Sequence, residues 1–221
     1  MKNTVVKVCS LSIALAGFSV SAQTTTLDFD SFIGVLSDYQ AIPGTFGSDA
    51  LNTPNIGVSY QTVDGSGGVY APYVEFWDGS YGDLPAVAYA AANGYYAQVI
   101  LTPQAGHSVT LDSFELGGWP NTDQANQTVE VLNGIGQVVW SDGGPLSVTI
   151  PGNGHLTLTP DISSSGPLVL EFGPSWNTGV DYVEFSQSNS VPDSGSGLAL
   201  MAAALLGVCG LARRLPRQAV A

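Results

Sequence analysis

The chain has 221 residues and a formal net charge of −13, with 18 Asp and Glu against 5 Lys and Arg. All five basic residues lie near the termini, and residues 23–190 hold every acid except Asp193, which leaves 17 negative and no positive side chains there. Such a field repels nucleic acid and anionic lipid, so nucleic-acid binding is excluded. Both cysteines also lie near the termini, and the body must therefore be stabilised by its core or by metal ions.

Residues 1–22 have the three parts of a secretory signal peptide. Lys2 and Lys7 form a positive start, residues 11–20 are apolar, and Val20-Ser21-Ala22 offers small residues for cleavage before Gln23. The apolar run is too short to span a bilayer. We expect export through the Sec translocon and removal of this segment by signal peptidase.

The pattern of residues 23–187 predicts one all-β domain. Alternating apolar and polar residues predict several short strands, and six Asx-Gly pairs supply tight turns between or beside them. The pattern favours an antiparallel β-sandwich over a parallel sheet. A short helix is the alternative for residues 84–94. The predicted strands are 56–63, 95–103, 107–116, 127–132, 137–140, 146–150, 155–159, 167–172 and 180–186.

The end of the chain has a polar linker, an apolar segment and a basic tail. The linker spans 188–197, the apolar segment 198–212 and the tail 213–221. An apolar helix followed by Arg213 and Arg214 predicts a transmembrane helix whose basic end stays in the cytoplasm. It is shorter than the roughly 20 residues of an ordinary span, which suits a temporary membrane intermediate, with a permanent anchor as the alternative.

This ending resembles the VPDSG variant of the PEP-CTERM sorting signal of Gram-negative bacteria. The resemblance implies recognition by an exosortase, removal of the helix, and passage from an inner-membrane intermediate to the cell envelope, cell surface or extracellular matrix. The body, notably residues 111–119, 129–140, 155–160 and 176–187, resembles jelly-roll domains similar in architecture to carbohydrate-binding modules. The residues that carry the sorting resemblance are Val191, Pro192, Asp193, Ser194, Gly195, Arg213 and Arg214.

Three aspartates are candidate calcium ligands. In jelly-roll domains a structural ion often sits where the first and last strands approach, and the resemblance therefore points to Asp28, Asp30 and Asp181. Carboxylates from loops and strand ends are suitable hard oxygen ligands for Ca²⁺. The alternative is that these acids form a solvated face.

Two tryptophans are candidates for carbohydrate binding. Trp119 and Trp176 lie beside Gly and Pro, as is typical of loops, and their flat rings can stack on sugar faces. The alternative is that both fill the core. Trp140, inside an apolar strand, is predicted to be a core residue.

No catalytic constellation stands out, so we expect a non-enzymatic protein. Asp181 and Glu184 are near each other, but residues an odd number apart on a regular strand face opposite ways. Position 179, where laminarinase-like enzymes need a nucleophilic Glu, is glycine. His107 and His155 lack zinc-site spacing. The leading hypothesis is a structural or polysaccharide-associating exported protein, and the alternative is a secreted carbohydrate-active hydrolase. Two coupled carboxylates in one cleft would favour the enzyme, and an exposed aromatic platform would favour binding.

Overall fold

The computed structural model describes residues 23–144 and 147–189, which form two antiparallel sheets around one shared core. The predicted signal peptide, sorting motif, apolar segment and basic tail lie outside the described residues. A short 3-10 helix, Phe29–Phe32, follows the first strand. The strands are β1 Gln23–Leu27, β2 Ile56–Val63, β3 Val69–Ala71, β4 Glu75–Tyr81, β5 Leu84–Tyr89, β6 Tyr96–Pro103, β7 His107–Gly118, β8 Gln124–Asn133, β9 Val138–Ser141, β10 Val148–Ile150, β11 Leu156–Leu158, β12 Ile162–Ser164, β13 Leu168–Gly173 and β14 Thr178–Asn189.

The first sheet is built around β14. Its strand order is β11-β7-β14-β5-β4, with β1 also paired to β14 and β12 to β7. The second sheet has the order β10-β8-β13-β6-β2-β3, with β9 paired to β8. Alternate residues of both sheets are buried in the common core, as the two-residue period of the sequence predicts. The antiparallel β-sandwich prediction is therefore confirmed at the level of two packed sheets.

The alternative of a helix at residues 84–94 is wrong, because residues 84–89 form strand β5. Ala86 and Ala88 pack into the main core, whereas Val87 and Tyr89 pack into a second apolar cluster on the other face of the first sheet. A strand covered on both faces is apolar at nearly every position, and such a run does not show a two-residue period.

The end of β14 extends past the predicted domain boundary at residue 187. Ser188 and Asn189 pair with Ser108 and His107 of β7. The first two residues of the predicted linker therefore belong to the sheet. Trp140 packs against the core, with its ring centroid 6.3 Å from that of Phe114, which matches its prediction as a core residue.

Candidate functional site

The structure brings the three predicted calcium ligands together. Asp28 caps the 3-10 helix that follows β1, and Asp30 lies in the first turn of that helix. Because β1 pairs with β14, with Leu27 opposite Val183, these two residues lie beside Asp181. One carboxylate oxygen from each of the three residues lies within 4.8 Å of the other two. We call this group the aspartate cluster.

A β-bulge in β14 turns Asp181 inward. The pairing with β7 shifts register between Asp181 and Glu184, and Tyr182 has a φ of 48°. As a result Val180 and Asp181, although adjacent, are both fully buried. A regular strand would have placed one of them on the outer face.

The carboxylates of the aspartate cluster are only partly satisfied by protein donors. The backbone N–H of Phe29 donates to Asp181 Oδ1 at 2.9 Å, and the Tyr182 hydroxyl donates to Asp30 Oδ2 at 2.9 Å. Asp181 Oδ2 and Asp30 Oδ1 are buried and have no hydrogen-bond partner among the described residues. Two buried oxygens without donors form a site that a hard cation fits, and carbonyls or water would complete its six to eight ligands.

Burial makes the ionised form of Asp181 unfavourable without a cation. Desolvation raises its pKa to about 8, the negative charges of Asp30 and Asp28 act in the same direction, and hydrogen bonds from the Phe29 and Tyr182 amides oppose them. Burial therefore favours the protonated form of Asp181 in the metal-free protein. A bound cation would displace that proton, because metal ligands must be deprotonated.

The two predicted tryptophans line one shallow pocket on the outer side of the first sheet. Trp119 and Trp176 meet there with Tyr39, Trp77, Tyr81, Tyr89 and Asn177, and we call this group the aromatic pocket. Trp176 is 41% exposed and Tyr39 61% exposed, whereas Trp119 is half-buried. The pocket encloses about 40 Å³, which is space for one small group of a ligand lying across the rings.

Three rings of the aromatic pocket pack against one another edge to face. Trp77 lies 5.8 Å from Trp119 and 4.9 Å from Tyr39 between ring centroids, with interplanar angles of 74° and 89°. The two tryptophan loops are tied together, since the Trp119 amide donates to the carbonyl of Asn177 at 2.9 Å. The Tyr81 hydroxyl donates to the carbonyl of Trp176 at 2.5 Å. These contacts fix the exposed rings on a rigid base.

The side chain of Asn177 adds a polar group to the aromatic pocket. Its Oδ1 is buried and finds no donor among the described residues. The sequence did not identify Tyr39, Trp77 and Asn177 as site residues, because they come from separate segments that only the fold brings together. The sequence gives no clear signal for Trp77, because adjacent Phe76 and Trp77 interrupt an alternating pattern.

Tyr182 connects the aspartate cluster to the aromatic pocket. Its hydroxyl is bound by Asp30, which raises the pKa of Tyr182 to about 12 and keeps it protonated as a donor. Its ring packs against the buried cluster of Tyr81, Leu84, Val87 and Tyr89 beneath the pocket. Tyr182 therefore contacts both the aspartate cluster and the residues beneath the aromatic pocket.

The acid pair considered for an enzyme is not formed. Asp181 is buried against Phe29, whereas Glu184 lies on the outer face and accepts a hydrogen bond from the Ser113 hydroxyl at 3.2 Å. At position 179 a side chain has no room, because a Cβ would lie 2.5 Å from Val87 Cγ2. The bulge therefore places Asp181 in the aspartate cluster, whereas Glu184 lies on the outer face.

The two histidines lie in different elements, His107 at the start of β7 and His155 immediately before β11. His107 opens the strand opposite Asn189, and His155 Nδ1 lies 2.8 Å from Asp83 Oδ1, with its Nε2 3.6 Å from Glu115 Oε1. His155 is therefore placed beside two carboxylates of the first-sheet surface, away from His107.

No protein-family model matches the chain, and a search of curated proteins finds no significant relative. Among the residues that the structure describes, no helix is long and apolar enough to cross a bilayer. Any functional statement therefore depends on the geometry of the sites and on the sequence signals at the two ends.

Proposed function

We propose that this chain is an exported, non-enzymatic protein with a jelly-roll-like β-sandwich that associates with extracellular polysaccharide through the aromatic pocket. The observation that carries this proposal is the grouping of Trp119, Trp176, Trp77 and Tyr39 around one pocket, with Asn177 in its lining. Sugar-binding surfaces need flat apolar rings for the C–H faces of a sugar and a few fixed polar groups for its hydroxyls.

The negative charge of residues 23–190 limits which class of polysaccharide can bind. With no Lys or Arg between residues 23 and 190, this region has no permanently charged cationic side chain to pair with a carboxylate or sulfate on a sugar. Anionic polysaccharides are repelled, and neutral chains are the natural partners of the aromatic pocket.

Calcium at the aspartate cluster is part of the same proposal. The support is the pair of buried oxygens without donors on Asp30 and Asp181, in a body that offers no basic side chain to neutralise them. The ion would tie β1 and the 3-10 helix to β14, and through Tyr182 it would support the base of the aromatic pocket.

Delivery to the cell surface rests on the sequence signals alone. Signal peptidase would remove residues 1–22, and an exosortase would act at the Val191–Gly195 motif while the helix at 198–212 holds the chain in the inner membrane. Replacing Pro192 and Asp193 should leave uncleaved protein in the inner membrane with the signal peptide removed. Equal surface delivery of wild type and variant would contradict the exosortase step.

The binding proposal is tested by measuring retardation of the purified protein in gels containing neutral polysaccharides such as glucans, mannans and galactans. Trp119→Ala and Trp176→Ala should each weaken retardation by about ten-fold or more, as loss of a stacking aromatic does at other binding sites. Tyr70→Ala is the matched control, because Tyr70 is 56% exposed on β3 of the second sheet. Unchanged retardation in both tryptophan variants would contradict the proposal, and so would unfolding of both.

The alternative, a secreted carbohydrate-active hydrolase, loses its support in the sequence once Asp181 and Glu184 are separated. The aromatic pocket itself has no carboxylate in its lining. We therefore do not propose a hydrolase at this pocket.

A further inference from the structure

A second concave site lies on the outer face of the second sheet. The cavity has a volume of about 610 Å³ and runs across β2, β6, β13 and β8. The β2–β3 loop at residues 64–67 and the β8–β9 turn at residues 133–136 contribute to its lining. This cleft is on the other sheet from the aromatic pocket, whose volume is about 40 Å³.

One polar side chain from each of four neighbouring strands crosses the cleft. Gln61 pairs with Gln98, Gln98 with Glu171, and Glu171 with Glu130 in the strand registers. The Gln61 amide donates to Gln98 Oε1 at 2.6 Å, and the Gln98 amide donates to Glu171 Oε2 at 2.5 Å. We call these four residues the acid–amide row.

The acid–amide row ends in two facing carboxylates. Side chains directly opposite on antiparallel strands have Cβ atoms about 4.5–5.5 Å apart, and like charges in that position destabilise a sheet. Burial raises the pKa of Glu171, the hydrogen bond from Gln98 lowers it, and the charge of Glu130 raises it. No hydrogen-bond donor to the Glu130 carboxylate is found in the described part of the chain, and no Lys or Arg lies between residues 23 and 190.

The rest of the cleft is suited to an elongated ligand with both apolar and polar faces. Leu132, Val138 and Val169 line it beside the Tyr96 side chain. Strands lie about 4.8 Å apart, so four strands spread the row over about 14 Å, which is longer than a single ion or sugar ring needs. The cleft also has three acidic residues in its lining, Asp64, Glu130 and Glu171, and no Lys or Arg between residues 23 and 190 can pair with them. Apolar groups, amides and these carboxylates together favour a ligand with C–H faces, hydroxyl groups and positive charge.

We infer that this cleft binds a glycan chain carrying free amino groups, with Glu130 and Glu171 as the contacts for its ammonium groups. Such a chain supplies the cations that the protein lacks, and its hydroxyls can pair with Gln61 and Gln98. A neutral glycan would leave the two carboxylates without a counter-charge, and an anionic one would be repelled. This site is separate from the aromatic pocket and does not depend on the function proposed there.

The test is isothermal titration of the purified protein with a short glucosamine oligomer and with the fully N-acetylated oligomer of the same length, at slightly acidic pH and low salt. The glucosamine oligomer should bind at least about ten-fold more tightly than the acetylated one, and added NaCl should weaken it. Glu130→Gln combined with Glu171→Gln should reduce the affinity by about ten-fold or more.

A control variant separates this site from general charge effects. Asp161→Asn removes one exposed acid beside β12 of the first sheet and should leave the affinity nearly unchanged. Equal affinity for the two oligomers, or no loss in the double glutamine variant, would overturn the inference. Shortening of the oligomer during incubation would overturn the purely binding role of Glu130 and Glu171, because it would make them an acid pair for hydrolysis.

Discussion

This chain has two groups of neighbouring carboxylates with no Lys or Arg to pair with them. The aspartate cluster lies inside the fold, and the two glutamates of the acid–amide row lie on its surface. In the aspartate cluster, Asp181 is fully buried and two oxygens have no donor. In the acid–amide row, Glu130 and Glu171 are only half-buried and open into a large cleft. The same chemical group therefore lies in two different environments, one buried and one partly exposed to water.

The difference shows how burial decides what a carboxylate can do. A buried carboxylate must either hold a proton or bind a cation, because the ionised form costs several kcal/mol when water is removed. A carboxylate in an open cleft stays hydrated and can remain ionised until a cationic ligand arrives. We interpret the first group as a permanent structural ion site and the second as a reversible binding site.

The largest expected effect is the pH dependence of stability at Asp181 in the absence of metal. Its pKa of about 8 in the folded protein exceeds its ordinary value of 3.8, so between these values the folded state holds a proton that the unfolded state has released. The free energy of unfolding should therefore fall as pH rises through this window, by up to about 1.4 kcal/mol per pH unit. Urea denaturation in EDTA at a series of pH values measures this slope.

Asp181→Asn is the variant that isolates this contribution, because asparagine resembles the protonated acid. It should keep only the shallower slope due to Glu75, Asp112 and Glu171, whose pKa values burial also raises. Asp161→Asn should retain the full slope. If Asp181→Asn and wild type have the same slope, the buried acid is not the titrating group.

A smaller effect, on calcium affinity, is expected from Tyr182→Phe. This change removes the hydroxyl that donates to Asp30 Oδ2 and keeps the ring that packs beneath the aromatic pocket. Partners that orient metal ligands typically change affinity by ten-fold or more, so calcium affinity should fall by about ten-fold while the fold is retained. Calorimetric titration with Ca²⁺ measures it, with Tyr70→Phe as the control. Unchanged affinity would mean that the hydroxyl does not support the ion site.

The smallest effect is expected from Glu130→Gln in the cleft. Removing one of two facing like charges should raise the free energy of unfolding by about 0.2–1 kcal/mol at low salt. The gain should shrink at high salt, since these charges are accessible to screening. Urea midpoints at the two salt concentrations measure it. A loss of stability at low salt would show that Glu130 has a stabilising partner.

Sequence periodicity was sufficient for most of the sheets. The predicted strand at 56–63 matches β2, because its alternate residues face the core and its ends meet turns. Strand β5 was not predictable as a strand, since its second face is covered by the aromatic cluster and its sequence lacks alternation. The prediction also missed β1, β3, β4 and β12. Strands β3 and β12 have three residues each, too few to show a period, and β4 has adjacent apolar residues, Phe76 and Trp77, which interrupt the alternation.

The proximity of the candidate site residues was partly predictable. The resemblance to jelly-roll domains groups Asp28, Asp30 and Asp181, whose carboxylate oxygens the fold brings within 4.8 Å of one another. Trp119 and Trp176 are both candidates because of their neighbouring Gly and Pro residues, and they line one pocket. The bulge that turns Asp181 inward has no signature in the sequence, because Val180 and Asp181 would otherwise face opposite ways. The facing of Glu130 and Glu171 depends on the register between β8 and β13, which distant residues set.

The central claim is that a cation occupies the aspartate cluster, and the melting temperature with EDTA and then with Ca²⁺ at fixed ionic strength tests it most directly. At a hundred times its dissociation constant, Ca²⁺ should stabilise the protein by about 2.7 kcal/mol, which raises the melting temperature by roughly 5–10 °C for a domain of this size. Asp30→Asn and Asp181→Asn should abolish the rise, whereas Asp161→Asn and Glu130→Gln should keep it. If NaCl of equal ionic strength produces the same rise, or if the Asp30 and Asp181 variants respond like the wild type, Ca²⁺ acts only by screening and the claim is wrong.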